Sequence, residues 1–223
     1  MIVKNLEVFY GNKRVLGKID TKFSKDEFVL LLGYNGSGKS TFLKALSGLV
    51  NYSGEIIVEG NHPHYFVTGY VFQNPETQII GSTVWEDVIF GLENLGLDRE
   101  EIRKRAQKVL KITGLYDFKH MEPHNLSGGQ KQKLAISSIL VMEPEYLLLD
   151  EPLSMLDKND RQVLKELIFD LKKMGMGIIV ATHNPEVFLE FSNRAIFMDK
   201  GTIVKDSNDV LEVVDMYINE VET

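Results

Sequence analysis

One eight-residue segment constrains this chain more than any other: Gly33-Tyr34-Asn35-Gly36-Ser37-Gly38-Lys39-Ser40. It follows Phe28 to Leu32, a short continuous apolar run that reads as a buried strand. It precedes Lys39 to Leu49, where apolar residues at 42, 43, 46 and 49 fit helical spacing. Glycines between a strand and a helix let successive backbone amides curl inward around phosphate oxygens. Lys39 is then expected to reach the β and γ phosphates and Ser40 to ligate magnesium, while the helix start adds its partial positive charge. The segment predicts nucleotide binding through Asn35, Gly36, Ser37, Gly38, Lys39, Ser40 and Thr41.

The pattern on either side supplies a sheet. Ile2 to Tyr10 and Val15 to Phe23 alternate around a Gly11-Asn12 turn, and Glu55 to Glu59 and Gly69 to Phe72 read as further strands. From Tyr146 the chain runs strand (to Leu149), amphipathic helix (Lys158 to Met174), strand (Gly177 to Ala181), which argues for parallel pairing with crossover helices. A hairpin turning at Lys200-Gly201 and a helix from Val210 to Ile218 follow. Residues 83–142 differ, with helical spacing in Trp85 to Leu92, Asp98 to Lys111 and Gly128 to Met142, so they read as a helical insertion. The basic run Arg103-Lys104-Arg105 lies beside Glu100 and Glu101 and reads as a solvated helix face.

Composition narrows the chemistry. The 223 residues carry 25 basic and 32 acidic side chains, a net charge of −7, which argues against a nucleic-acid partner. Cysteine is absent, so disulfides and thiolate chemistry are excluded. No signal-like leader and no uncharged apolar run of about 18 residues is present. A cytoplasmic chain that reaches a membrane only through a partner is the expectation.

Two further segments carry chemistry. Tyr146-Leu147-Leu148-Leu149-Asp150-Glu151 delivers two carboxylates at a strand end, Asp150 for magnesium and Glu151 as the general base for water. In Leu126-Ser127-Gly128-Gly129-Gln130, Ser127 suits a helix cap, and the glycines expose amides at the helix start as a second anion site. His62 and His64, like His120 and His124, have metal-compatible spacing but no further partners, and read as loop histidines.

These three motifs, in this order, resemble the ATP-binding cassette (ABC) ATPase family over about residues 2–206. The resemblance implies a single domain over 1–223: a P-loop NTPase core with a RecA-like parallel sheet and an antiparallel β subdomain (1–82 and 143–223), plus an inserted helical subdomain (83–142). It implies ATP and Mg2+ as cofactors. It places Tyr10 against adenine, Gln73 at the magnesium and attacking water, and His183 at the γ-phosphate. It also places Ser154, Leu156 and Asp157 in a loop crossing to a second cassette, whose ATP meets Ser127, Gly128, Gly129 and Gln130. Asp26, Leu153, Met155 and Asn184-Pro185 depart from the family pattern without removing a catalytic group.

The stretch from Val71 to Gln78, with Thr83 to Gly91 and Asn94-Leu95-Gly96, is similar to the energy-coupling-factor subclass. That likeness implies the ATPase subunit of an importer for a vitamin or a transition-metal ion, peripheral on the cytoplasmic membrane face. Implied partners are a second ABC ATPase subunit, identical or related, a transmembrane coupling subunit contacted near Glu76, and a substrate-binding membrane subunit. An ATPase of another ABC transporter class, or a non-transport ABC ATPase, is the alternative reading.

Overall fold

The structure, a computed structural model, describes residues 1–59 and 67–221. Along the chain lie β1 (Ile2–Tyr10), β2 (Lys13–Lys22), β3 (Phe28–Gly33), α1 (Lys39–Leu46), β4 (Ser53–Ile57), β5 (Thr68–Val71), α2 (Val84–Asn94), α3 (Arg99–Ile112), α4 (Gly128–Leu140), β6 (Tyr146–Asp150), α5 (Lys158–Lys173), β7 (Gly177–Ala181), β8 (Arg194–Asp199), β9 (Thr202–Ser207) and α6 (Val210–Val221). They fall into two compact units, one of residues 1–70, 145–151 and 171–223, the other of 71–144 and 152–170. His62 and His64 lie outside the described residues.

The first unit holds both sheets. An antiparallel sheet has the order β2-β1-β4, and a larger one the order β5-β6-β7-β3-β8-β9. Strands β6, β7, β3 and β8 run parallel, as the alternation of strand and helix predicts, and β9 returns antiparallel after the turn at Lys200-Gly201. Every residue of β3, β6 and β7 is buried, which is why these strands read as unbroken apolar runs rather than alternating ones. Pairing of Ala181 with both Leu31 and Asp150 sets the ends of β3, β6 and β7 level at one edge of the sheet.

Helix α1 is shorter than its apolar spacing predicts. It stops at Leu46, where Gly48 takes a left-handed φ of 72°. The Leu49 amide then donates to the Lys44 carbonyl at 2.9 Å and the Gly48 amide to Ala45 at 3.1 Å, a closing pattern that turns Leu49 out to solvent. Spacing alone does not register such a stop, because one more apolar residue fits the period.

The second unit is mostly helical. Thr83 caps α2 by accepting from the Glu86 amide, and Asp98 caps α3 by accepting from Glu100 and Glu101. Helix α3 buries Ile102, Ala106, Val109 and Leu110 and leaves Arg103 and Lys104 exposed, as the solvated-face reading predicts. Arg105 pairs with Glu101 at 2.6 Å and Glu143 at 3.1 Å. Among the described residues, no helix is long and apolar enough to cross a membrane.

A buried guanidinium fixes the antiparallel sheet to the larger one. Arg194, on β8, grips Asp206 of β9 with two bonds of 2.6 Å, donates to Thr21 Oγ1 at 2.8 Å and to the Lys22 carbonyl, and lies over the Phe23 ring. Truncating Asp206→Ala leaves the guanidinium to Glu27 Oε2, which it reaches at 3.5 Å, so chemical denaturation should show a loss of about 2 kcal/mol. Arg194→Met leaves the carboxylates of Asp206 and Glu27 without the guanidinium and should also destabilise, and combined with Asp206→Ala it should cost less than the sum of the two single changes.

Candidate nucleotide site

The site begins where β3 ends. Gly38 precedes α1 with φ 105°, a left-handed value that strains any residue with a side chain, and a Cβ there would press on Leu16 Cδ2 at 2.7 Å. Unlike α2, α3 and α4, α1 has no side-chain cap, and its first turn holds no acidic residue. The first amides of a helix have no acceptor within it, so this start is left for an anion from outside. Lys39 is only 7% exposed and donates to the carbonyls of Gly33 at 2.6 Å and Tyr34 at 3.2 Å. Burial pulls its ammonium below the ordinary lysine range, while Glu151 and Asp150 act in the opposite direction. The loop thus holds a desolvated cation that a phosphate would match.

The acidic pair stands at the level end of the neighbouring strands. Asp150 closes β6 and is buried; its Oδ2 accepts from the Tyr70 hydroxyl at 2.7 Å, while Oδ1 has no partner. Burial, followed by the charge of Asp150, raises the Tyr70 phenol well above its ordinary range, so it stays a neutral donor. Glu151 follows with φ 48°, a left-handed conformation uncommon outside glycine, and its amide donates to Ala181 at 2.9 Å. That turn brings Glu151 Oε2 to 2.7 Å from His183 Nδ1. The structure therefore joins two residues that lie far apart in sequence. Tyr10, half exposed, lines a cleft of about 330 Å³ with Phe9 and residues 48–51.

Gln73 and the Ser127 to Gln130 segment belong to the second unit. Ser127 caps α4 as its sequence predicts, accepting from the Gln130 amide at 3.2 Å, while Gln130 Oε1 accepts from the Ser127 amide at 2.8 Å. The stretch containing Gln73 is fastened to α4: Gln78 accepts from the Phe72 amide at 3.1 Å and donates to the Ala135 carbonyl at 2.7 Å. Glu76, expected to face a membrane subunit, is engaged by Lys131 Nζ at 2.6 Å, which holds its carboxyl below the usual range.

The model of the ABC transporter family matches residues 16–154. The chain belongs to that family. It is 44% identical over 198 residues to the energy-coupling factor transporter ATP-binding protein EcfA1 of Thermotoga maritima, covering 87% of this chain and 76% of that one. Identity is 41% to the energy-coupling factor transporter ATP-binding protein EcfA of Methanocaldococcus jannaschii, over 86% of this chain and 72% of the relative. The solved structure of cbiO1 from Clostridium perfringens, part of the ABC transporter complex cbiONQ, is similar with a TM-score of 0.84 at 32% identity, covering 97% of this chain and 91% of that one. As an ABC ATPase the chain binds and hydrolyses ATP, and its fold is the P-loop NTPase α/β cassette.

Sequence reading missed three supports of this ABC site. Tyr70 sits in β5 without any local sign that it serves Asp150, 80 residues away. The Gly201 amide, in the β8–β9 turn, donates to the Ser37 carbonyl at 2.8 Å, and the Gly17 amide donates to the Gly201 carbonyl at 2.8 Å, so the phosphate loop is braced from a distant hairpin. The Tyr34 ring packs on Tyr217 of α6 and Phe197 of β8, at centroid distances of 5.7 and 6.1 Å, and its hydroxyl reaches the Tyr217 carbonyl at 3.3 Å. Because Tyr34 also supplies a carbonyl to Lys39, Tyr217→Ala should loosen the loop and weaken ATP binding about fivefold, equivalent to roughly 1 kcal/mol. Tyr217→Phe keeps the ring and the accepting carbonyl and should bind as the parent does, measured by equilibrium titration with a fluorescent ATP analogue.

Proposed function

We propose that the chain is the ATP-hydrolysing subunit of an energy-coupling-factor-type importer, powering uptake of a vitamin or a transition-metal ion through membrane subunits. The names of its relatives support this reading. The hydrolytic part rests on one observation above all, the 2.7 Å contact between Glu151 and His183 beside the buried Asp150.

Magnesium fits the residues present. Asp150 Oδ1 is a buried carboxylate oxygen without a partner, and Ser40 offers a hydroxyl in the first turn of α1. Among the described residues no group of three or more His, Asp or Glu side chains forms an all-protein cage. A small hydrated ion shared with phosphate oxygens needs none. Ser40, Asp150 and Gln73 would hold it, and when bound it neutralises charge developing between the β and γ phosphates.

The chain's own groups divide the remaining work. Amides of Asn35 to Thr41 and the Lys39 ammonium hold the phosphates, and Tyr10 stacks on adenine. Glu151 takes the proton of the attacking water, while His183 holds that carboxylate in place and faces the γ-phosphate. Ser127, Gly128, Gly129 and Gln130 of a second cassette, identical or related, close over the same ATP. In this reading residues 1–223 form one ABC ATPase domain with 83–142 as its helical subdomain. The domain sits on the cytoplasmic membrane face against a transmembrane coupling subunit and a substrate-binding membrane subunit.

Glu151→Gln should still bind MgATP and dimerise but lose turnover by about a hundredfold or more; parental turnover in that variant would remove Glu151 from its role. Tagged protein purified from membranes should bring down integral membrane subunits, and recovery of soluble partners alone would refute the transport reading.

A further inference from the structure

The start of α4 is already crowded with bonds from its own unit. The Ser127 and Gln130 amides are spent on each other's side chains, and the Gly129 amide between them is taken by Asp160, with N to Oδ2 at 3.0 Å. Asp160 lies in the first turn of α5, 31 residues further along. Its carboxylate lies flat on the glycine: a Cβ at Gly129 would stand 2.3 Å from Asp160 Cγ and 2.5 and 2.6 Å from its two oxygens. The backbone at Asp160 is fixed by its amide, which donates to Asp157 Oδ1 at 2.9 Å. Ser127 and Gly128 beside it are exposed, so the helix start is open to an incoming group.

We infer that Asp160 is a resident anion in the phosphate seat of α4, and that it must give way before the ATP held by a partner cassette can occupy that seat. The inference rests on the pairing with a second cassette proposed above. A carboxylate and a terminal phosphate seek the same donor, and two anions at one helix start repel each other. In the unpaired chain Asp160 is stabilising, because it satisfies an amide and places negative charge where the helix dipole favours it. In the closed pair the same charge opposes the phosphate. Gly129 therefore serves two states: its missing side chain makes room for Asp160 in the open chain and for phosphate in the closed one.

The test uses the full chain in the Glu151→Gln background, with dimer fraction followed by analytical ultracentrifugation during MgATP titration. Asp160→Asn and Asp160→Ala should both lower the MgATP concentration for half-maximal pairing by about tenfold, the order of one hydrogen bond to a charged group. Asparagine keeps the size and can still accept from Gly129, so its shift isolates the charge and does not depend on how well the alanine variant folds. ATP binding by dilute, unpaired protein is measured alongside and should move by less than about twofold, because the donor concerned is not in the phosphate loop. An unchanged or raised pairing concentration in both variants, with pairing itself intact, overturns the role of Asp160. Failure of the Glu151→Gln parent to pair with MgATP at all overturns the pairing reading, and this inference with it.

Discussion

A lysine ammonium withdrawn from water sets the terms for much of this molecule. Lys39 is buried at the start of a helix without a side-chain cap, and its protein partners are two loop carbonyls rather than a carboxylate. Such a cation is costly unless an anion is supplied, and the surroundings hold the place open. The sheet order puts β3 between β7 and β8, so the loop leaving β3 is flanked by the strands that lead to His183 and to the bracing hairpin. The Gly201 turn, the Leu16 side chain and the Tyr34 ring all limit how that loop can move.

Polar satisfaction points the same way. Among the described residues, the buried side-chain atoms without a partner are Ser37 Oγ, Asp150 Oδ1 and Gln132 Nε2. Native interiors leave few such atoms, and each one calls for a reason. Two lie in the phosphate loop and at the end of the acidic strand, and the third lies on α4 just beyond the Ser127 to Gln130 segment. The unmet demand is concentrated in the segments to which the family resemblance assigns ATP and magnesium.

The helical unit shows how a signal could be carried mechanically. Gln78 and the Lys131–Glu76 pair fasten residues 72–78 to α4, so Gln73 and the segment that starts α4 belong to one fastened body. The exposed ion pair adds little stability, whereas Gln78, bonded at both ends of its amide, fixes the geometry. A push on the 72–78 stretch is thereby delivered to α4 with little slack.

The sequence by itself determined the chemistry and the class of fold. A strand, a glycine loop and a helix closing on Lys39-Ser40 admit few other readings, and the buried runs 28–32, 146–149 and 177–181 required a sheet covered on both faces. These signals are local: each depends on residues within a few positions, where backbone sterics and helix or strand periodicity act directly. Tertiary structure alone decided the contacts that tune the site. The hydroxyl of Tyr70 on Asp150, the imidazole of His183 on Glu151, the ring of Tyr217 under Tyr34 and the carboxylate of Asp160 on Gly129 each join residues at least 31 positions apart. None has a local signature, because a hydrogen bond across a sheet edge or between two helices depends on strand order and register, which no short stretch of sequence records.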